Sequence, residues 1–169
     1  MPALERVARG LEFIQVPGDT PDENSTWRTT FDIPFAVEVS HHAQASGADI
    51  AVLNVNALGG VRRALRVAEV CGLPCVVTAG LASSVGIAAG LALAGVLPDI
   101  GFASELATAR LLTGDVVSPG RRLIPIDGYL PVAPMPAAPD ARGLERCAVT
   151  DPETVVWWRN RLRNVQRHI

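Results

Sequence analysis

Few side chains in this 169-residue sequence have the types and spacing that chemistry needs. His41 and His42 stand together just past Glu38, and paired imidazoles invite a metal ion. On an extended segment adjacent side chains point apart, and no third soft ligand sits at a suitable spacing, so the pair reads as a solvated loop. Ser83 and Ser84 precede a long apolar stretch that begins at Val85. That is the pattern of a helix N-terminus, whose N–H groups attract anions, although a plain cap without a ligand fits the same residues. Gly59 and Gly60 fit two readings as well: a backbone that approaches an anion closely, or a tight strand-to-helix turn. Cys71, Cys75 and Cys147 are odd in number, and the first two are one residue too far apart for a thioredoxin-like motif. Free thiols in a reducing compartment, and hence a cytoplasmic address, follow as the expectation.

All fifteen cationic side chains are arginine, and no lysine occurs anywhere. Schiff-base, lysine-base and P-loop lysine mechanisms are therefore excluded within this chain. The net charge of −2 gives no electrostatic footprint for nucleic acid. The longest apolar run, 85–97, has 13 residues with three glycines, too short for a bilayer core that needs about 20. No charged segment followed by an apolar one marks a signal peptide at the start, and neither a membrane nor a nucleic-acid partner is expected.

The elements that must position these residues alternate between short β-branched runs and helical patterns, the order of βα units around a parallel sheet. Five strands are predicted, at 11–16 (LEFIQV), 35–39 (FAVEV), 49–55 (DIAVLNV), 75–79 (CVVTA) and, most weakly, 100–104 (IGFAS). Between the third and fourth, Val61, Leu65, Ala68 and Cys71 recur at helical spacing and Gly72 and Pro74 end the pattern. A second helix follows Ser83 or Ser84, apolar on all sides and stopped by Pro98, so it should be buried on most of them. From Ser118 the text turns Pro-rich and extended, with a possible hairpin at Asp127-Gly128. After Pro152 a last helix places Val155, Trp158, Leu162, Val165 and Ile169 on one stripe, which is expected to dock.

Three stretches, LGGVRRAL, SSVGIAAGLALA and IDGYLPV, stand in an order and spacing that resemble the second half of the o-succinylbenzoate synthases of actinobacteria, members of the enolase superfamily. The likeness extends backward through IPFAVEVS and LEFIQVPG and spans roughly three quarters of the chain. The resemblance implies a modified β/α barrel with a capping domain, magnesium held by carboxylates at three successive strand ends, and lysines flanking the substrate on opposed strands. The implied reaction dehydrates a cyclohexadiene carboxylate to o-succinylbenzoate for menaquinone synthesis.

Position by position, the resemblance implies a site stripped of its chemistry. Gln15 stands where the family has a strand-end glutamate that binds the metal, and a neutral amide holds a hard dication less strongly. Glu38 stands at the family's aspartate, keeping the charge on a longer arm, and is the residual metal ligand. Asn54, in Leu53-Asn54-Val55, takes the place of the catalytic lysine and cannot exchange a proton near neutral pH. The loop at Ser83, Ser84 and Val85, with Gly59, is the residual site for a small carboxylate ligand. Glu105, at the fifth strand's end, would lie on the catalytic rim, since barrels carry their sites at C-terminal strand ends.

The expected architecture is thus α/β: a partial (β/α) barrel of about five parallel strands over 1–117, a Pro-rich extended segment over 118–152, and an amphipathic helix over 153–169. The capping domain, the first strands, the other lysine motif and the first metal-binding aspartate have no counterpart in it. An open barrel leaves two hydrogen-bonding edges and an apolar interior uncovered, so a second chain or a homo-oligomer is expected to complete it. Two functions follow: an o-succinylbenzoate synthase-like chain that is inactive alone, or a non-catalytic binding and assembly module.

Overall fold

The computed structural model describes residues 10–16, 32–39, 47–132 and 137–167. His41 and His42 lie outside the described residues, as does Ile169. Four strands, β1 (Ile14–Val16), β2 (Phe35–Glu38), β3 (Ile50–Asn54) and β4 (Cys75–Thr78), form one parallel sheet in chain order. A fifth strand over 100–104 does not form. Only Glu105 pairs, by a single parallel bridge to Thr78, with its N–H donating to the Val77 carbonyl at 2.8 Å. Gly101 and the residues beside it are largely exposed, so a run of five apolar-leaning letters has no second face to bury.

Strand alternation divides the sheet's side chains cleanly. Ala51, Leu53, Val55, Cys75, Val77 and Ala79 face outward into the main core, where helices α1 (Val61–Cys71) and α2 (Ser84–Val96) cover them. Ala36, Ile50, Val52 and Val76 face the other way and are at most 1% exposed. A strand buried on both faces reads as a continuous apolar run, which is what IAVLN and CVVT are.

The inner face is not left open, contrary to the expectation for an incomplete barrel. Phe13, just before β1, meets Phe102 edge to face with ring centroids 5.5 Å apart, and both pack on the inner cluster. In an eight-stranded barrel the first and fifth strand positions lie across the axis from each other. The sheet therefore keeps the barrel's curl, and two aromatic rings plug its floor.

Each helix begins and ends for a local reason. Gly72, with φ 60°, closes α1 by donating to the Ala68 carbonyl at 3.1 Å. Leu97 leaves the helical region immediately before Pro98 and so ends α2. Gly90 of α2 lies where an added Cβ would come within 2.6 Å of Leu106 Cδ2, which is how a helix without a charged residue seats against the segment after the bridge. Asp127 and Gly128, both with positive φ, form the predicted two-residue turn between Ile126 and Tyr129, whose N–H and C=O groups exchange both bonds.

The stretch read as extended also carries a short 3-10 turn (Pro119–Arg121) and a helix, α3 (Ala141–Arg146). Asp140 caps α3 by accepting from Gly143 N at 2.7 Å and donates its own N–H to the Val116 carbonyl at 2.9 Å. The final helix, α4 (Pro152–Gln166), forms as predicted but does not dock on the described chain: no residue of it is buried. Trp157 and Trp158 meet edge to face with ring centroids 4.8 Å apart, and Arg161 lies 5.6 Å over the Trp157 ring. Periodicity guarantees an apolar stripe, not a surface to receive it. Among the described residues no helix is long and apolar enough to cross a membrane.

Two outcomes follow from these contacts. A Cβ at Gly143 would overlap the Val116 carbonyl group, which is backbone and cannot swing away, so Gly143→Ala should lose about 1–3 kcal/mol of stability in urea titration. Gly120→Ala, with nothing within 4 Å, should change it by less than about 0.5 kcal/mol. Asp151 caps α4, and hydrogen bonds from the Thr154 side chain and backbone hold its carboxyl below the ordinary value. A depressed folded pKa gives a contribution present above the unfolded value and lost as pH falls through the folded one. Helical circular dichroism should accordingly decline on acidification through that range, and Asp151→Ala should remove this part of the acid dependence.

Candidate functional site

The same alternation that fills the sheet's floor sends Gln15, Glu38, Asn54 and Thr78 inward at the C-terminal ends of their strands. Gln15 pairs in register with Ala36, two residues before Glu38, and Glu38 pairs with Val52, two residues before Asn54. Strands in a barrel tilt by about 36°, so this stagger keeps the three side chains near one height. Asn54 is level with Thr78, and Thr78 with Glu105.

Asn54 is tied down on both sides of its amide. Its Nδ2 donates to Glu38 Oε1 at 3.1 Å, and its Oδ1 accepts the Ala57 N–H at 3.3 Å. The Glu38 carboxylate and the Asn54 amide thus satisfy each other. Next to them, Gly80 at φ 61° donates to Thr78 Oγ1 at 3.1 Å and accepts from Thr108 Oγ1 at 2.7 Å. Asn56 Nδ2 reaches the Ala79 carbonyl at 2.7 Å. Glu105 and Gln15 are exposed, and Glu105 joins the row through its backbone bridge alone.

The two backbone sites behave differently from open anion cradles. Gly59 N–H donates to the Asn56 carbonyl at 3.3 Å and Gly60 N–H to Val55 at 2.9 Å, both residues having positive φ. The tight-turn reading accounts for both N–H groups. At the start of α2, Ser83 is the cap residue but its side chain caps nothing. The anion there is the chain's own: Asp115, 5% exposed, accepts Ser84 Oγ at 2.6 Å and Ser84 N–H at 3.2 Å. Ser84 Oγ in turn accepts the Leu123 N–H at 2.8 Å, and Arg122 Nε lies 3.9 Å from Asp115. Val85 is 37% exposed on the outer turn.

Asp115 is the residue that sequence reasoning missed. It lies in the GDVV stretch, 31 positions from Ser84, and nothing local in the text marks it as a helix cap. Burial pushes the Cys71 thiol up, and burial together with the nearby Cys71 pushes Cys75 up, so neither of these two is poised as a thiolate. Among the described residues no three His, Cys, Asp or Glu side chains gather to hold a metal ion.

Comparison with known proteins matches this chain to curated relatives. It is 45% identical to the o-succinylbenzoate synthase of Thermobifida fusca over 130 residues, 72% of this chain and 40% of that protein. It is 37% identical to that of Mycobacterium leprae over 161 residues, 90% of this chain and 46% of the relative. The chain thus spans about half the length of the curated relatives it matches. A muconate lactonizing enzyme from Mycobacterium smegmatis superimposes with TM-score 0.68 at 19% identity, over 86% of this chain and 45% of that one. An enolase from the same species, solved with tartrate, gives 0.72 at 20% identity, over 89% and 40%. These likenesses show the fold, part of a β/α barrel. No protein-family profile matches.

Removing Asp115 leaves the Ser84 donors and the Arg122 guanidinium without their buried anion. Asp115→Ala should cost at least about 2 kcal/mol by chemical denaturation, more than Ser84→Ala at about 1–2 kcal/mol. Equal or smaller loss for Asp115→Ala would contradict the assignment.

Proposed function

The chain belongs to the o-succinylbenzoate synthase family and spans about half its relatives' length, and we propose that the strand ends it holds have lost the family's acid–base chemistry. The observation that carries this reading is Asn54. Its amide stands at the C-terminal end of β3, where the sequence resemblance puts the family's lysine, and it is hydrogen-bonded to Glu38. An amide neither takes nor gives a proton near neutral pH, and a chain without lysine has no substitute base of that kind.

The donor set does not fit the family's magnesium. A small hard dication demands near-octahedral oxygen ligands. The strand ends offer one carboxylate already bonded to Asn54 and a neutral Gln15, with Glu105 reached only through backbone pairing. No step is derived through a metal. A free carboxylate is likewise poorly served at α2, where Asp115 holds the Ser84 N–H. Menaquinone synthesis is then the history of the fold, not this chain's own reaction, and its free thiols suit a cytoplasmic setting.

The purified chain, supplied with magnesium and the family's cyclohexadiene carboxylate, should form o-succinylbenzoate at the no-protein rate. Asn54→Lys combined with Gln15→Glu should leave that rate unchanged, because the opposed lysine is still lacking. Turnover by the unmodified chain alone would overturn the reading.

A further inference from the structure

We infer that the Asp127-Gly128 turn is a site of spontaneous backbone isomerisation, at which the Asp127 side chain becomes part of the main chain. Asp127 is the one aspartate or asparagine in the sequence that precedes a glycine, so the backbone nitrogen after it has no neighbouring Cβ to shield it. The step needs no co-reactant but water. The Gly128 nitrogen attacks Cγ of the acid form of Asp127 and gives up its proton, the carboxyl hydroxyl leaves as water, and a five-membered succinimide closes. Water then adds to one of the two ring carbonyls. Cleaving the bond between nitrogen and the Asp127 main-chain carbonyl leaves isoaspartate, and cleaving the other restores aspartate. One water is lost and one regained, and nothing is oxidised or reduced.

The structure leaves both reacting groups free. Ile126 and Tyr129 exchange hydrogen bonds at 3.0 and 2.9 Å, whereas the Gly128 N–H and the Asp127 carboxyl make none among the described residues. Both turn residues are exposed, and nothing lies within 4 Å of where a Cβ on Gly128 would stand, so water has access to the ring. Asp127 is held at φ 51°, the one positive φ outside glycine among the described residues, a conformation that costs an L side chain energy. Opening the turn therefore relieves the backbone that must rearrange. Little resists that opening: the Ile126–Tyr129 bridge is isolated, and Pro125 has no N–H with which to extend it. The ends of the segment are fixed meanwhile, by Arg110 Nη2 on the Pro125 carbonyl at 2.7 Å and by Leu123 and Leu130 on the main core. An isoaspartate adds one atom to the main chain and so breaks a two-residue turn without reaching that core.

The test holds the full chain for weeks at about pH 6 in water enriched in heavy oxygen, with hydrogen exchange at β3 and β4 showing that it stays folded. After cleavage at arginine in ordinary water, electron-transfer fragmentation of the peptide 123–142 separates isoaspartate from aspartate. Isoaspartate carrying one heavy oxygen is expected at position 127, at least tenfold above the level at Asp49, Asp99, Asp115, Asp140 or Asp151. Its rate should be no more than tenfold below that of a free peptide spanning 123–132. Asp127→Glu should abolish the product, because the ring would need six members, and Asp127→Asn should speed it, because ammonia leaves more readily than water. Three results would overturn the proposal: a folded chain more than tenfold slower than the free peptide, isoaspartate spread evenly over the other aspartates, or a product without heavy oxygen.

Discussion

Everything at the mouth of this sheet depends on the two-residue period of β3. Ile50 and Val52 fill the inner floor, Ala51, Leu53 and Val55 fill the helix-covered side, and Asn54 comes out inward only because that count is kept. A slip of one residue would put Leu53 in the mouth and Asn54 in the core, exchanging a buried leucine for a buried amide. With Ile50, Ala51, Val52, Leu53 and Val55 all at most 1% exposed, the burial of both faces holds the register against that slip. Neighbouring strands inherit it through their pairings, which is why Glu38 and Thr78 share the inner side.

The mouth of the sheet is held by its own polar groups. Asn54 Nδ2 donates to the Glu38 carboxylate, and the amide's oxygen ties off the following turn. At the head of α2, the Asp115 carboxylate, Ser84 and the Leu123 N–H form a polar chain that ties the helix to both ends of the 115–123 stretch, more than 30 residues on. Such groups are costly to bury unless each is satisfied, so their mutual bonding fixes the path of 115–123 over the helix.

Sequence patterns disclosed what local physics decides. The strand at 75–79, the helix ended by Gly72, the Asp-Gly turn and the Pro152 helix start were all readable, because their signals lie within a few residues of one another. The inward position of Gln15, Glu38 and Asn54 follows from alternation once the strands are placed. What was not readable depends on distant partners. The Asp115 cap, the docking of α3 through Gly143 on the Val116 carbonyl, and the Phe13–Phe102 plug all join positions tens of residues apart. The segment 100–104 shows the converse error, where β-like letters lack the neighbour that would make them a strand. The α4 stripe is a third kind of case, a correct element whose partner surface is not in the described chain.

The order of the strands in space is their order in the chain, with each paired to the one before it. Each pairing therefore reaches back by a single unit, with partners 21, 14 and 24 residues apart, and because closure entropy grows only slowly with loop length the three steps cost similar amounts. Such a sheet can grow unit by unit, each βα segment settling on the one before it, and the inner floor of β2–β4 is closed by residues of those same units.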